Sequence, residues 1–456
     1  MHARLRQVVK AYDVRGRVPD QLDTDIARAL GAAFADETGI ADTGSGGGRA
    51  VLGHDMRSSS PDLVEAIADG VRSRGAGVVD IGLASTDMLY CASGTLDLPG
   101  VMVTASHNPA QDNGLKLCRA GARPIGLSSG LAAMAEAAGP ALDSGDAPAP
   151  RAGTSVEQVE FLQTYADTLL GLAPVRGRRL KVVVDAGNGM AGHTVPAVLG
   201  GLDLDLVGLY LELDGTFPNH EANPLDHSTL VDLQAAVREH GADVGLAFDG
   251  DADRCFVIDE RGEVVSPSAI TSLVASRHLE HEPGATILHN VICSRAVPEI
   301  VAERGGVPVR TPVGHSLIKA EMARTGAVFG GEHSGHFYFR EFYLADSGML
   351  AALHVLGALA ESDTTVSDLM AEFSRYRASG EINSRVDDAD AVLERISRTY
   401  ADHGQDRMDG LTVTADDWWF NVRASNTEPL LRLNVEGADD ATMTRVRDEV
   451  LALVRA

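Results

Sequence analysis

VMVTASHNPAQDNGLK, residues 101–116, opens with an apolar run and empties into a knot of small, polar and turn-forming residues. Val101 to Val103 reads as a short buried strand, and Thr104, Ala105, Ser106, His107, Asn108 and Pro109 read as the bend at its end. Pro109 fixes its own φ and pushes Asn108 out of the helical region, so the chain after Ser106 must turn. Ser106 is thereby presented on a bend with His107 beside it. Asn113-Gly114 predicts a second turn, after which Leu115-Lys116-Leu117 alternates as a strand and returns a cation towards the serine. Taken alone, Ser-His-Asn-Pro reads equally as a held reactive hydroxyl or as an exposed turn.

Strands that empty into polar turns and are followed by helices recur along the chain. Residues 10–16, Lys-Ala-Tyr-Asp-Val-Arg-Gly, read as a polar turn after Val8-Val9. Helical spacing over 24–34 leads through the Gly-rich loop 44–48 to a strand and turn at 51–55, and a helix over 61–74 leads to a strand over 77–81. At 138–154 the composition shifts to Ala, Gly, Pro, Ser and Asp, which marks a domain boundary. A second α/β unit starts with a helix over 156–170 and a strand over 180–185. A third starts near 263, with strand-turn-helix runs at 286–296 and 307–323. After helices at 348–361 and 366–375 the character changes. Strands at 381–388, 411–414, 418–423 and 430–436, with helices at 389–400 and 441–455, predict a smaller α+β unit with an antiparallel sheet. The expectation is an α/β protein: three similar mixed-sheet domains over 1–147, 148–262 and 263–370, and a C-terminal α+β domain over 371–456.

The chain has 456 residues, too many for one core, and only 5% are aromatic, which fits a multidomain soluble α/β enzyme. Four cysteines, Cys91, Cys118, Cys255 and Cys293, lie far apart with no metal-like or redox spacing, so a reducing cytoplasm is expected. No apolar run is long enough to span a bilayer. A formal charge of −26 argues against a nucleic-acid partner. It leaves room for a small anionic substrate if the cations gather in one place. Lysine is confined to Lys10, Lys116, Lys181 and Lys319, which singles out Lys116 for something arginine cannot do, such as giving up a proton.

Asp249-Gly250-Asp251-Ala252-Asp253-Arg254 directly follows an apolar run at 244–248. Three carboxylates at alternate positions repel one another unless they converge on a hard divalent cation. An EF-hand does not fit, because Arg254 stands where that loop needs glycine and 255–258 reads as strand. Gly187 to Gly192 matches G-x-G-x-x-G, with Glu212 near the distance of a ribose contact, but a tight strand-to-helix turn explains it better than a dinucleotide site. Gly330-Gly331-Glu332-His333-Ser334-Gly335-His336 combines a carboxylate, a hydroxyl and imidazoles between glycines, a pattern suited to reading sugar hydroxyls. Arg423-Ala424-Ser425-Asn426-Thr427 offers a guanidinium, hydroxyls and an amide to a phosphate.

Together, Tyr12-Asp13-Val14-Arg15-Gly16, the 104–109 bend, the 249–254 loop, the 332–336 loop and the 423–427 turn resemble the α-D-phosphohexomutase family, in order along almost the whole chain. The resemblance implies four domains around one central cleft. It implies that Ser106 is a phosphoserine and that Asp249, Asp251 and Asp253, with the Ser106 phosphate, hold Mg²⁺. Lys116, Arg15 and His107 become the candidates for proton transfer and charge stabilisation, Lys116 first, and Arg254 stabilises charge on the transferring group. Arg423, Ser425, Asn426 and Thr427 would hold whichever phosphate is not reacting. His315 and Tyr12 would line the cleft, and Glu332 and Ser334, with His336 nearby, would read sugar hydroxyls. The implied reaction moves phosphate between the 1- and 6-positions of a hexose through a hexose 1,6-bisphosphate, which also acts as activator.

Tyr12-Asp13 and the Arg-Ala-Ser-Asn-Thr form resemble the phosphomannomutase/phosphoglucomutase members rather than the phosphoglucosamine mutases, so mannose phosphates are expected first and glucose phosphates next. Some relatives carry a lysine where Ile292 stands and a basic residue just before Gly314-His315, where this chain has Pro312-Val313. Two rival classes are a phosphoserine hydrolase and a non-catalytic sugar-phosphate binder. Expected partners are hexose phosphates, with no nucleic acid and no membrane, for a monomer or homodimer.

Overall fold

An apolar run forms a strand where a slot buried on both faces accepts it, and Val101 to Val103 fill such a slot. The structure, a computed structural model, describes residues 1–42, 44, 47–145, 149–424 and 430–455. Strands β1 (Val14–Arg17), β2 (Arg49–His54), β3 (Gly77–Leu83), β4 (Gly100–Val103), β5 (Asp112–Arg119), β6 (Arg123–Pro124) and β7 (Val156–Gln158) form one sheet. Its order is β1-β5-β4-β2-β3-β7, with β6 beside β5. β2, β3, β4 and β7 run parallel, while β1, β5 and β6 are antiparallel to their neighbours. Full burial of Val101 and of Val103 contributes about 1.5–3 kcal/mol each.

The second sheet contains β8 (Leu180–Asp185), β9 (Leu204–Leu209), β10 (Val244–Phe248), β11 (Cys255–Ile258) and β12 (Val264–Val265), in the order β12-β11-β10-β8-β9. It repeats one feature of the first. The Ser106 bend leaves parallel strand β4 and returns as antiparallel β5, and the Asp249 loop leaves parallel β10 and returns as antiparallel β11. The two loops hold equivalent positions in two sheets.

Two compact units form: Met1–Val265 with Ser334–Ser367, and Ser266–His333 with Asp368–Ala456. The stretch 266–367 supplies both units. To unit 2 it gives the parallel strands β13 (Thr286–Asn290), β14 (Val307–Thr311) and β15 (Phe329–Gly331). To unit 1 it gives the antiparallel pair β16 (Phe337–Phe339) and β17 (Ala345–Asp346), then the helix Gly348–Ala360, whose N-cap Ser347 accepts from Leu350 N. Unit 2 also contains the antiparallel sheet β18 (Arg377–Arg385), β19 (Gly404–Asp406), β20 (Leu411–Thr414), β21 (Trp418–Ala424) and β22 (Leu430–Gly437), in the order β18-β22-β21-β20-β19. The helices Ala389–Thr399 and Asp440–Arg455 bury Ile396, Val446 and Val450 against Phe420, Val422 and Leu433 of that sheet.

Four local expectations are corrected. Residues 10–16 are not all turn: Val14 onward is β1, because its backbone pairs with β5. Asn113-Gly114 is not a turn but lies inside β5, where a Cβ on Gly114 would stand 2.3 Å from the Val14 carbonyl oxygen. The glycine serves close strand approach. The helix expected over 156–170 begins only at Leu162, since Val156–Gln158 adds to the edge of the first sheet beside β3. The helix expected over 366–375 ends at Ala371. Among the described residues no helix is long and apolar enough to cross a membrane.

Candidate active site

Ser106 has φ +53°, a left-handed conformation that costs a non-glycine residue about 1–3 kcal/mol and persists only where surroundings over-determine it. Arg57 does so. Its Nη2 donates to the carbonyls of Ser106 (2.8 Å) and Asn108 (2.7 Å), and its Nη1 to those of Pro109 (2.7 Å) and Asp112 (2.9 Å). Asp55 accepts from Arg57 Nε at 3.1 Å, and Ser106 N donates to Thr104 Oγ1 at 2.9 Å. A guanidinium fork whose five donors all point at acceptors suits a backbone that has left regular structure. Burial lowers the Arg57 pKa, with Asp55 opposing.

Ser106 Oγ is buried. It donates to Asp249 Oδ2 at 2.9 Å and lies 3.2 Å from His107 Nδ1. Gly250 makes this approach possible, since a Cβ there would stand 2.3 Å from the Ser106 carbonyl oxygen. The G-x-G-x-x-G stretch serves the same loop: Met190 N donates to the Gly250 carbonyl at 2.9 Å, and a Cβ on Gly189 would meet that carbonyl at 2.7 Å. Its glycines are thus accounted for by backbone packing, and the Glu212 carbonyl accepts from Asn188 Nδ2 at 2.9 Å.

The three carboxylates of the second loop are fully buried and their ligand atoms lie within 4.8 Å of one another. Lys116 Nζ, brought in by β5, donates to Asp251 Oδ2 (2.6 Å) and Asp253 Oδ2 (2.5 Å). Thr86 Oγ1 donates to Asp251 Oδ2 at 2.5 Å. Arg254 Nε donates to Asp249 Oδ2 at 2.9 Å and its Nη2 is 2.8 Å from the same oxygen. Asp251 Oδ1 and Asp253 Oδ1 have no hydrogen-bond partner among the described residues. Two orphaned, buried carboxylate oxygens beside a third carboxylate fit a hard divalent cation.

Electrostatics follow from burial and these pairings. Burial raises the Asp249 pKa to about 7, with Arg254 opposing. Burial also disfavours charge on Asp251, but Lys116 outweighs it and holds that carboxyl well below the usual range. For Lys116, burial works against the ammonium and Asp251 and Asp253 outweigh it, so the pKa rises well above the ordinary lysine value. His107 is pushed well down by burial and by Arg254 and Arg15, which leaves a neutral imidazole. Arg15 bonds Asp13 Oδ2 (2.8 Å), the Ala105 carbonyl (3.2 Å) and Asn108 Oδ1 (2.6 Å). Its burial is offset by Asp13, Asp251 and Asp253, which raise its pKa.

Of the residues expected at a site, Ser106, His107, Lys116, Arg15, Arg254 and the three aspartates come together in unit 1. Ser334 and His336 are there too, Ser334 Oγ 2.9 Å from His336 Nδ1 and His336 Nε2 3.6 Å from Asp253 Oδ1. Tyr12 is half-buried immediately before Asp13. In unit 2, Glu332 follows β15 and accepts from Asn290 Nδ2 and Gly314 N, both at 3.2 Å. His315 is the first residue of the helix His315–Thr325. Arg423 lies in β21 and pairs with Glu381 Oε2 at 2.9 Å. Ser425, Asn426 and Thr427 lie outside the described residues. Arg57, Thr86 and Asp87 escaped sequence reading. Asp87 is fully buried and accepts from Tyr165 Oη (2.7 Å), Ser347 Oγ (2.6 Å) and Ser85 Oγ. The one signal was Ser85-Thr86-Asp87 ahead of Met88-Leu89, a cap for the helix Thr86–Leu96.

Models of phosphoglucomutase/phosphomannomutase α/β/α domains I, II and III match residues 6–136, 160–262 and 266–376, and that of the C-terminal domain matches 381–453. A phosphohexose mutase of Xanthomonas campestris is 41% identical over 452 residues, 97% of this chain and 98% of its own. The phosphomannomutase of Escherichia coli K12 is 38% identical over 455 residues, 97% of each chain. The crystal structure of a phosphoglucomutase/phosphomannomutase family protein from Burkholderia thailandensis superposes with a TM-score of 0.87 at 32% identity, covering 100% of this chain and 98% of that one.

Proposed function

This chain belongs to the phosphoglucomutase/phosphomannomutase family of phosphohexomutases, and from that premise we propose that it interconverts mannose 6-phosphate and mannose 1-phosphate, and glucose phosphates as a second pair. The observation that carries this reading is Ser106 Oγ held 2.9 Å from Asp249, in a left-handed turn, among Lys116, Arg15 and Arg254. In the reaction, the phosphoryl group leaves Ser106 Oγ for a free sugar hydroxyl, which gives up its proton. The resulting hexose 1,6-bisphosphate turns round and returns its other phosphate to Ser106. Asp249, Asp251 and Asp253, with a phosphate on Ser106, would hold Mg²⁺, which when bound neutralises charge on the transferring group.

The side chains have separable tasks. Lys116 Nζ, kept protonated by two aspartates, is suited to supply a proton as Ser106 Oγ is released. Neutral His107 Nδ1, 3.2 Å from Ser106 Oγ, is suited to accept one when the hydroxyl attacks. Arg15 and Arg254 stabilise negative charge. In unit 2, Glu332 is assigned to sugar hydroxyls and Arg423, with Ser425, Asn426 and Thr427, to the phosphate not undergoing transfer; His315 and Tyr12 are assigned to lining the substrate. Cytoplasmic residence as a monomer or homodimer belongs to the same proposal, and four buried cysteines in the thiol form support a reducing compartment.

The test is incubation with mannose 1-phosphate, Mg²⁺ and a catalytic amount of hexose 1,6-bisphosphate. Mannose 6-phosphate is the expected product. Free phosphate in its place would make the protein a hydrolase, and no turnover would make it a binder. The same preparation with glucose 1-phosphate ranks the two sugars.

A further inference from the structure

Thr86 is the first residue of the helix Thr86–Leu96, and both of its donors leave that helix for one member of the aspartate triad. A helix leaves its first N–H groups without intrahelical partners, and a threonine hydroxyl in the first turn has no helical carbonyl one turn back to bond. Thr86 spends both donors on Asp251: its N donates to the Asp251 carbonyl at 3.0 Å and its Oγ1 to Asp251 Oδ2 at 2.5 Å. Ala252, the next residue, has φ +59°, a left-handed conformation that persists only where the surroundings over-determine it. The bond from Thr86 N to the Asp251 carbonyl is one such constraint.

Thr86 is itself held from both sides. Ser85 caps the helix by accepting from Met88 N at 3.3 Å. Asp87 accepts from Tyr165 Oη (2.7 Å), in the helix Leu162–Leu172, and from Ser347 Oγ (2.6 Å), at the start of the helix Gly348–Ala360. Gly348 in turn packs so tightly on the Arg254 backbone that a Cβ would lie 2.6 Å from its carbonyl carbon, so the helix start and the aspartate loop share one frame. Within that frame the two oxygens of Asp251 have unlike surroundings. Oδ2 accepts from Thr86 Oγ1 and from Lys116 Nζ, at 2.5 and 2.6 Å, while Oδ1 has no hydrogen-bond partner among the described residues. A carboxylate oxygen has two lone pairs, and these two donors fill those of Oδ2. Lys116 alone does not secure that choice, because it also bonds Asp253 and is the group assigned to give up a proton. A neutral hydroxyl on a β-branched side chain with restricted χ1 keeps its bond in either protonation state of the lysine.

We propose that Thr86 is a positioning residue for the cation of the aspartate triad: by occupying Asp251 Oδ2 it turns Oδ1 of that carboxylate towards Mg²⁺. The proposal rests on the metal reading of the triad given above and adds to it a residue that touches neither substrate nor the ion. Its readout is Mg²⁺ binding to resting protein, which is measured separately from turnover.

The experiment measures the Mg²⁺ dissociation constant by calorimetry on substrate-free protein for the unmodified chain, Thr86→Val and Thr86→Ser, with Ser106 phosphorylation matched by mass spectrometry. Thr86→Val keeps the branched shape without the hydroxyl and should weaken Mg²⁺ binding about 10–100-fold, the usual cost of removing a group that orients a metal ligand. Thr86→Ser restores the hydroxyl and should recover most of that loss. Thr86→Val with the Kd of the unmodified protein overturns the proposal, and so does Thr86→Ser as weak as Thr86→Val, which would assign the effect to lost methyl packing. An unmodified protein that binds no Mg²⁺ brings down the metal reading and this proposal together. The expected binding pattern without turnover of mannose 1-phosphate brings down the mutase reading alone. Thr86 is buried, so should Thr86→Val fail to fold, the structure of the unmodified protein loaded with Mg²⁺ decides. Asp251 Oδ1 at about 2.0–2.1 Å from Mg²⁺, with the Thr86 bond to Oδ2 kept, is then the expected result, and Oδ2 as the ligand overturns the proposal.

Discussion

Arg57 of unit 1 and Arg423 of unit 2 hold their charges in different ways. In unit 1, Arg57 spends its donors on four carbonyls and Asp55, Lys116 is clamped between two carboxylates, and Arg254 bonds Asp249, all with little or no exposure. In unit 2, Arg423 pairs with Glu381, and its buried Nε has no hydrogen-bond partner among the described residues. The brace on the Ser106 bend is complete before any substrate arrives, which is what positioning a transferring phosphoryl group requires, while Arg254 Nη2, Asp251 Oδ1 and Asp253 Oδ1 have no hydrogen-bond partner among the described residues. Arg423 keeps donors in reserve, as a group that must bind and release a phosphate does. Substitutions in unit 1 should therefore damage chemistry or folding, and those in unit 2 should damage binding.

The largest effect is expected at the centre of unit 1. Ser106→Ala should fold and lose mutase turnover by on the order of 10⁴-fold or more, as loss of a covalent nucleophile does. Mass spectrometry of the unmodified protein should find phosphate on Ser106. Phosphate only at another residue, or a Ser106→Ala variant with full turnover, would move the reacting group elsewhere.

Next is Arg57→Met, which leaves Asp55 buried without its cation and four carbonyls without donors. Breaking such a buried pair costs about 3–5 kcal/mol, read as a lower urea midpoint. Turnover in the fraction still folded should fall roughly 100-fold, because the Ser106 bend loses its brace. Unchanged stability would mean that the bend holds itself without the Arg57 brace.

Much of the scaffold was legible because it rests on periodicity. The strands at 180–185 and 411–414 and the helix at 389–399 follow from runs of apolar residues that local rules describe. Ser106 and the aspartates were legible because each sits at a strand end in an unusual local pattern. Arg57, Thr86 and Asp87 were not, because their partners lie 49, 165 and 260 residues away. A lone arginine in a turn does not disclose which carbonyls it will meet. For the same reason Val14 and Gly114 were read as turns: the pairing of β1 with β5, which holds them both, is nonlocal.

Asp87 makes that hidden part measurable through pH. Burial raises its pKa to about 7, against the bonds from Ser347, Ser85 and Tyr165, while an unfolded aspartate titrates near 3.9. Between these values the folded state binds the additional proton, so stability falls as pH rises, by about 1.4 kcal/mol per pH unit. Across pH 5 to 7 this amounts to roughly 2–3 kcal/mol. Asp87→Asn should flatten that part of the profile in urea titrations at several pH values. An identical slope in the variant would show that Asp87 is already ionised in the folded protein.

The smallest effect, and the sharpest probe of the contrast, is expected from Arg423→Lys. Lysine keeps the positive charge and the partner Glu381 but loses the planar fork, so at most one charge-assisted bond to a phosphate is forfeited, about 1.5–3 kcal/mol. If Arg423 holds a phosphate that does not react, it binds ground state and transition state alike. KM for the hexose phosphate should then rise by roughly tenfold or more, with kcat nearly unchanged and the urea midpoint unaltered. A fall in kcat at constant KM would place Arg423 among groups that act only in the transition state. The division of labour between a pre-built unit 1 and a binding unit 2 would then have to be redrawn, because a residue with reserve donors would be doing the work here assigned to Lys116 and Arg254.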